Sequence, residues 1–156
     1  MILVIKVEYK ITSYNEKETI ELAENLESEK FPNMVICLKG NLGSGKTVFT
    51  KGFASALGIT DVITSPTFNI VKEYYSGQLP LFHMDVYRID EATVQIDFAE
   101  YFVKKGVSII EWSDMIKDEL PKERLEISFK ILGENKRVLI IKPYGKKYED
   151  LCEAVL

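Results

Sequence analysis

The sequence predicts an α/β fold in three layers, with a mixed sheet that is parallel at its centre and extended by antiparallel strands. Three observations carry that expectation. Apolar runs of strand length alternate with segments of helical periodicity along the 156 residues, the order from which parallel strands with covering helices are built. One strand-to-helix junction is the glycine-rich turn Gly40-Asn41-Leu42-Gly43-Ser44-Gly45-Lys46-Thr47. Two pairs of strand-like runs, at 68–86 and 125–142, are each joined by a Gly-containing turn and read as antiparallel.

In chain order, Ile5, Val7, Tyr9 and Ile11 alternate with Lys6, Glu8, Lys10 and Thr12, the period of a half-buried edge strand. Ser13 or Asn15 can cap a helix from about Glu16 to Lys30, with Ile20, Leu22, Ala23 and Leu26 on its apolar side, stopped by Phe31-Pro32-Asn33. Met34 to Lys39 is a short apolar run of buried-strand type, and Val48 to Leu57 is a helix closed by Gly58. Val62 to Phe68 packs three hydroxyl residues around Pro66, and Phe68 to Val86 turns back on itself at Gly77-Gln78. A helical pattern with Val94, Phe98, Tyr101 and Phe102 on one side spans Ile89 to Lys105 and ends at Gly106. Val107-Ser108-Ile109-Ile110 is a second buried strand, and a short helix near Asp114 to Leu120 stops at Pro121. Leu125–Leu132 and Arg137–Lys142 are strands joined at Gly133-Glu134-Asn135, and the tail from Tyr144 to Val155 has the pattern of a last helix. No repeat, low-complexity stretch or linker divides the chain, so residues 1–156 are expected to form one domain.

Twenty Lys and Arg against 24 Asp and Glu leave a formal charge of -4, which does not suit autonomous nucleic-acid binding through clustered cations. Lys142, Lys146 and Lys147 read as a solvated face. Two cysteines, Cys37 and Cys152, have no metal-ligand spacing and fit apolar filler in a reducing compartment. Met1 to Ile5 is too short for a signal-peptide core, and no run approaches membrane-spanning length, so a cytoplasmic protein is expected.

The turn at Gly40 to Thr47 has the form G-x-x-x-x-G-K-[ST] between a strand and a helix. In that setting backbone N–H groups cradle phosphates, the lysine reaches the terminal phosphates, and the Ser/Thr hydroxyl ligates Mg²⁺. The fold is therefore expected to be P-loop NTPase-like. Asn41, Leu42, Gly43, Ser44, Gly45, Lys46, Thr47 and Val48 are the nucleotide-binding candidates. Mg²⁺ also needs a carboxylate at the end of a neighbouring strand. Glu111 follows one strand, in the position of a Walker B acid, and Asp85 ends another; the residues alone leave open which one binds the ion and which orients water. Thr64, Ser65 and Thr67 stand where nucleotide switches keep hydroxyls that answer to the γ-phosphate or Mg²⁺, or else form a proline turn. The single histidine, His83, reads as structural rather than as a general base. Arg88 reads as a surface ion-pair residue. The sole tryptophan, Trp112, reads by default as core, with purine stacking and partner anchoring as the other uses.

Four segments, in order and at their intervals, carry a resemblance: Gly40 to Thr47, Ser65-Pro66-Thr67-Phe68, His83-Met84-Asp85-Val86-Tyr87-Arg88, and Ile110-Glu111-Trp112. Together they resemble the TsaE family of small bacterial P-loop ATPases, over nearly the whole chain. That resemblance implies work with the TsaB and TsaD proteins in forming N6-threonylcarbamoyladenosine in tRNA, with tRNA met indirectly through the complex. It implies ATP and Mg²⁺ as cofactors, Lys46 as the phosphate lysine, Thr47 as a magnesium ligand, Thr64 to Thr67 as a switch-like segment, and Asp85 and Glu111 as the essential acids. Asn41 and Ser44 stand where Asp and Ala are usual in the family, and Ser113 where Pro is common; none of these removes a group the chemistry needs.

The expectation is a slow ATPase, with Lys46, Asp85 and Glu111 catalytic, Thr47 with Asp85 or Glu111 at the metal, activation by a partner, and no stable homo-oligomer. A small-molecule kinase shares the loop and the size, but the sequence has three arginines and no cationic lid. A GTPase would need N-K-x-D, which Asn135-Lys136-Arg137-Val138 lacks. A non-catalytic module whose nucleotide state sets partner affinity is the alternative from outside enzymology.

Overall fold

A computed structural model of the chain describes residues 7–66, 70–87 and 96–156. The central strand β2 (Val35–Gly40) is buried along its apolar run from Val35 to Leu38, as a strand covered on both faces must be. It has parallel neighbours on both sides, β5 (Val107–Glu111) and β6 (Arg124–Ile131). Outside β5 lie β4 (Leu81–Asp85), parallel to it, and β3 (Val71–Tyr74), antiparallel to β4. Outside β6 lie β7 (Arg137–Tyr144) and β1 (Tyr9–Ser13), both antiparallel to their neighbours. The order among the described residues is β1-β7-β6-β2-β5-β4-β3. The mixed sheet is thus parallel in the middle and antiparallel at both flanks, as the sequence predicts.

Alternation along the strands sorts their side chains into two layers. Ile36, Leu38, Ile109, Ile127, Leu139 and Ile141 face helices α1 (Glu16–Ser28), α2 (Lys46–Ala56) and α4 (Lys146–Val155). Val35, Cys37, Phe82, Met84 and Ile110 face α3 (Phe98–Phe102) and a 3₁₀ helix (Ser113–Glu119) on the other side. Cys37 and Cys152 are buried and unbridged, and burial pushes the Cys37 thiol up to about 12, so both behave as apolar filler.

Local chemistry explains the helix boundaries. Asn15 Oδ1 accepts the Glu18 N–H at 2.9 Å, while the Glu18 carboxylate accepts the Tyr14 N–H at 2.8 Å, so two donors at the start of α1 are paired. At the end of α2, Gly58 has φ 90°; its N–H bonds the Ser55 carbonyl and the Ile59 N–H bonds the Ala54 carbonyl, both at 3.0 Å, which is the Schellman arrangement. Between these helices Gly52 matters for space: a Cβ there would stand 3.1 Å from Ile20 Cα and 3.3 Å from Ala23 Cβ.

Several boundaries differ from the sequence reading; the last strand, for one, runs on to Tyr144 rather than ending at Lys142. Helix α2 starts at Lys46 rather than Val48, and α1 stops at Ser28 rather than Lys30. The expected helix from Ile89 to Lys105 is described only as α3, from Phe98 to Phe102; residues 88–95 lie outside the described residues. It stops there because the Asn33 side-chain amide donates to the Phe102 and Lys104 carbonyls, at 3.4 and 2.8 Å, and the chain must turn at once into β5.

Candidate functional site

At the C-terminal end of β2 the chain leaves the sheet through Gly40, where a Cβ would stand 2.8 Å from the Phe129 carbonyl oxygen and 2.7 Å from Ser44 Oγ. Gly43 and Gly45 follow with φ of 78° and 112°, in the left-handed region that glycine enters without steric cost. These turns end with α2 aimed at the loop. Its first internal bond runs from the Phe49 N–H to the Gly45 carbonyl at 3.0 Å, and no side chain caps it. The N–H groups of Lys46, Thr47 and Val48 therefore have no acceptor within the helix and form its positive end. Asn41 and Leu42 at the tip are exposed, whereas Ser44 Oγ is buried without a hydrogen-bond partner among the described residues.

Lys46 is 5% exposed. Its Nζ donates to the Gly40 carbonyl and, at 3.2 Å, to that of Asn41, and lies 3.9 Å from the centroid of the Trp112 ring. Burial holds its pKa below the usual lysine range, against the opposing pull of Glu111, Asp85 and Asp114. The ammonium is thus folded onto its own loop, close to three acids.

Two of those acids, Asp85 and Glu111, reach the site through strand pairing. β4 and β5 run side by side with Asp85 opposite Glu111 and His83 opposite Ile109, and the two-residue period turns His83, Asp85 and Glu111 toward the α2 side. Glu111 is buried; its Oε1 accepts from the Thr47 hydroxyl at 3.3 Å, and its Oε2 is hydrogen-bonded to His83 Nε2. Asp85 is half-buried. Desolvation raises its pKa, the Tyr87 N–H on Oδ1 at 3.1 Å opposes the shift, and Glu111 beside it adds to the rise.

Trp112 meets its default core reading only in part: it packs against the buried cluster that holds Cys37, Met84 and Ile110. It is only partly buried, has φ 62° and ψ 38°, and packs its ring on Tyr87 at 4.5 Å between centroids as well as over Lys46. A non-glycine residue held in this region costs about 1–3 kcal/mol and marks functional sites more often than ordinary turns. Trp112 and Asp85, with Leu42, Ser65, Pro66 and Tyr87, line a cleft of about 360 Å³.

The other predicted residues are distributed less simply. Thr64 is exposed and its hydroxyl accepts from Lys72 Nζ of β3 at 2.6 Å. Thr67, Phe68 and Arg88 lie outside the described residues. Lys142 and Lys146 pair with Glu8 and Asp150, at 3.7 and 3.1 Å. One contact has no signal in the sequence: Arg137, at the start of β7, donates from Nη2 to the Gly43 carbonyl at 3.2 Å and from Nη1 to the Gly133 carbonyl at 2.9 Å. It fastens the β6–β7 turn to the tip of the loop across 94 positions.

The donor set fits a phosphate ester with a hard cation. Unpaired N–H groups and a lysine stand where anions bind, and the Thr47 hydroxyl with the carboxylates of Glu111 and Asp85 supplies the oxygen ligands Mg²⁺ prefers. Among the described residues no three His, Cys, Asp or Glu side chains could hold a metal as a group, so a cation here would draw further ligands from phosphate and water.

Comparison with known proteins points one way. The family model for the threonylcarbamoyl adenosine biosynthesis protein TsaE matches residues 13–139. The chain is 46% identical over 139 residues to the tRNA threonylcarbamoyladenosine biosynthesis protein TsaE of Bacillus subtilis, covering 89% of this chain and 88% of that one. It is 38% identical over 125 residues to the protein of the same name from Aquifex aeolicus, covering 79% and 87%. A crystal structure of Bacillus subtilis YdiB superposes with a TM-score of 0.87 at 40% identity, covering 98% of this chain and 97% of that one.

Proposed function

The chain belongs to the TsaE family, and from that premise we propose that it serves tRNA threonylcarbamoyladenosine biosynthesis as an ATP-binding, slowly ATP-hydrolysing component that supports turnover of a TsaB–TsaD transferase complex. The observation that carries the nucleotide reading is the meeting of Thr47 and Glu111 at the uncapped start of α2, with Lys46 between them and the loop carbonyls. No described helix is long and apolar enough to cross a membrane.

In this reading the N–H groups of Gly43 and of residues 45–48 bind the phosphates, while that of Ser44 is held by the Asn41 carbonyl at 3.1 Å. Lys46 leaves the Gly40 and Asn41 carbonyls to meet the terminal phosphates, where its charge stabilises the charge that develops during transfer. Thr47 and Glu111 hold the side of the site that Mg²⁺ would occupy; bound there, the ion would neutralise phosphate charge and hold the phosphate oxygens in place. Asp85, in the cleft beyond, orients the attacking water. Among the described residues, the only arginine hydrogen-bonded to the loop, Arg137, has its guanidinium engaged with carbonyls, which supports a slow intrinsic rate and acceleration when a partner closes the site.

Phosphate release measured with and without TsaB and TsaD tests this. Expected are turnover well below the enzyme median of about 10 s⁻¹ alone, a rise with the pair, and loss of both in Lys46→Ala. Rapid, partner-independent turnover, or full activity of Lys46→Ala, would refute it. Phosphate appearing on an added alcohol instead of free in solution would make the protein a kinase. Full tRNA modification with a non-hydrolysable analogue would reduce it to a binding module.

A further inference from the structure

We propose that His83 is a positioning residue: it fixes the rotamer of Glu111 so that one carboxylate oxygen is presented to Thr47 and to the cation. The proposal rests on the ATP·Mg²⁺ reading above and goes beyond it, because among the described residues His83 is hydrogen-bonded to Glu111 and to neither the phosphate loop nor Thr47, and it reads from sequence as merely structural.

The geometry divides the two oxygens of Glu111. Oε2 is held by His83 Nε2 from β4, and Oε1 faces Thr47 Oγ1 at 3.3 Å. A carboxylate only accepts, so Nε2 carries the proton and donates, which fixes the imidazole tautomer. The ring is itself immobile: His83 is fully buried, at 0% exposure, on a strand paired on both sides, opposite Lys72 of β3 and Ile109 of β5. Its second nitrogen, Nδ1, is buried and has no hydrogen-bond partner among the described residues. An unprotonated ring nitrogen tolerates that better than an orphaned N–H would, so among the described residues the one hydrogen-bond tether of the ring is Glu111. Here one side of the ring is left unsatisfied and the other is spent on the acid.

Without the ring, Glu111 would keep its place at the end of β5 but gain rotameric freedom about the side-chain bonds that His83 now blocks. Neighbours that orient a metal-binding carboxylate typically contribute about 10–100-fold in metal affinity or activity. The loss should fall on the magnesium-dependent part of nucleotide binding, because the loop N–H groups and Lys46 are untouched.

The test compares wild type, His83→Leu, His83→Gln, Glu111→Gln and the double variant His83→Leu/Glu111→Gln, in the full chain, each first checked by circular dichroism and thermal melting. Binding of a fluorescent ATP analogue is titrated in EDTA and then against MgCl₂, and phosphate release is followed separately. Expected for His83→Leu are EDTA affinity within about twofold of wild type, an apparent Mg²⁺ affinity weakened about 10–100-fold, partial rescue in His83→Gln, whose amide N–H can reach Oε2, and no further loss in the double variant beyond Glu111→Gln. Unchanged Mg²⁺ affinity in His83→Leu, a His83→Gln loss as large as that of His83→Leu, equal losses with and without Mg²⁺, or additive losses in the double variant would each overturn the proposal. If His83→Leu fails to fold, His83→Phe, a ring of similar size with no donor, takes its place in the same Mg²⁺ titration. Wild type without any magnesium-dependent nucleotide binding would instead refute the ATP·Mg²⁺ reading, and this inference with it; wild type with it and variants like wild type would refute this inference alone.

Discussion

Replacing Gly40 by Ala should damage the protein more than replacing Gly43 by Ala, although both glycines lie in the same loop with positive φ. At Gly40 (φ 147°) the new Cβ would sit 2.7 Å from Ser44 Oγ, 2.8 Å from the Phe129 carbonyl oxygen and 3.0 Å from Phe129 Cβ. Ser44 can rotate aside, but Phe129 cannot: it is the register partner of Gly40 between β2 and β6. Relieving the contact means moving one of two central strands or the loop itself. Backbone strain of about 1–3 kcal/mol adds to overpacking of about 1–3 kcal/mol, and a mid-range total near 4 kcal/mol lowers the melting temperature by roughly 12 °C for a domain of this size. At Gly43 (φ 78°) no atom lies within 4 Å of the new Cβ, so only left-handed strain of about 1–2 kcal/mol remains, roughly 3–6 °C. Thermal melts of the two ligand-free variants, read by circular dichroism, decide it. A Gly40→Ala melting temperature equal to or above that of Gly43→Ala would refute the reasoning, since it would mean that Phe129 does not confine the start of the loop.

Two further outcomes follow from contacts away from the loop. Tyr148→Phe removes the hydroxyl that accepts the buried Val35 N–H at 2.8 Å; leaving that donor unpaired should cost about 1–3 kcal/mol and lower the melting temperature, while nucleotide affinity stays within about twofold because Val35 begins β2 at the end opposite Gly40. Equal melting temperatures would show that the N–H finds another partner. Glu126 is buried between Arg124 (2.8 Å) and Lys39 (3.4 Å). Desolvation alone would raise its pKa, but the Arg124 hydrogen bond and the charges of Lys39 and Arg124 outweigh it and hold the carboxyl below its usual range. A carboxyl depressed on folding adds stability that is present above its unfolded pKa, near 4.5, and lost as pH falls through the lower folded value. Glu126→Gln should therefore melt below wild type at pH 7, by about 2 kcal/mol for a charged hydrogen bond, and the gap should close as pH falls below about 4.5. A gap that does not change between pH 7 and pH 3 would show that the loss is packing and not charge.

Much of the fold was legible because its signals are local. The G-x-x-x-x-G-K-T spacing between an apolar run and a helical pattern fixes where the chain must turn. Ser13 or Asn15 announces the start of α1, the structure choosing Asn15, and Gly58 announces the end of α2. The hairpin from Val71 to Asp85 reads from its two runs and the turn between them. What the sequence leaves unread depends on distant partners. Trp112 reads as core and does pack on that layer, yet the left-handed turn after Glu111 also brings it onto Tyr87 and Lys46. Arg137 reads as one scarce arginine among three, since nothing near it in sequence says that Gly43 will lie across from it.

By itself the sequence determined that this protein has a phosphate loop at a strand-to-helix junction, that two acids end strands, and that the sheet is mixed, because each follows from periodicity, capping and turn chemistry within a dozen residues. Only the tertiary structure decided which groups meet. Parallel pairing of β4 with β5 sets Asp85 opposite Glu111 and brings His83 to Glu111, and the packing of α2 on the same face brings Thr47 to Glu111's other oxygen. Parallel register is not set by any turn between the strands. It is set by which apolar side chains must be buried on each face of the whole sheet, and that requirement exists only once the sheet has formed.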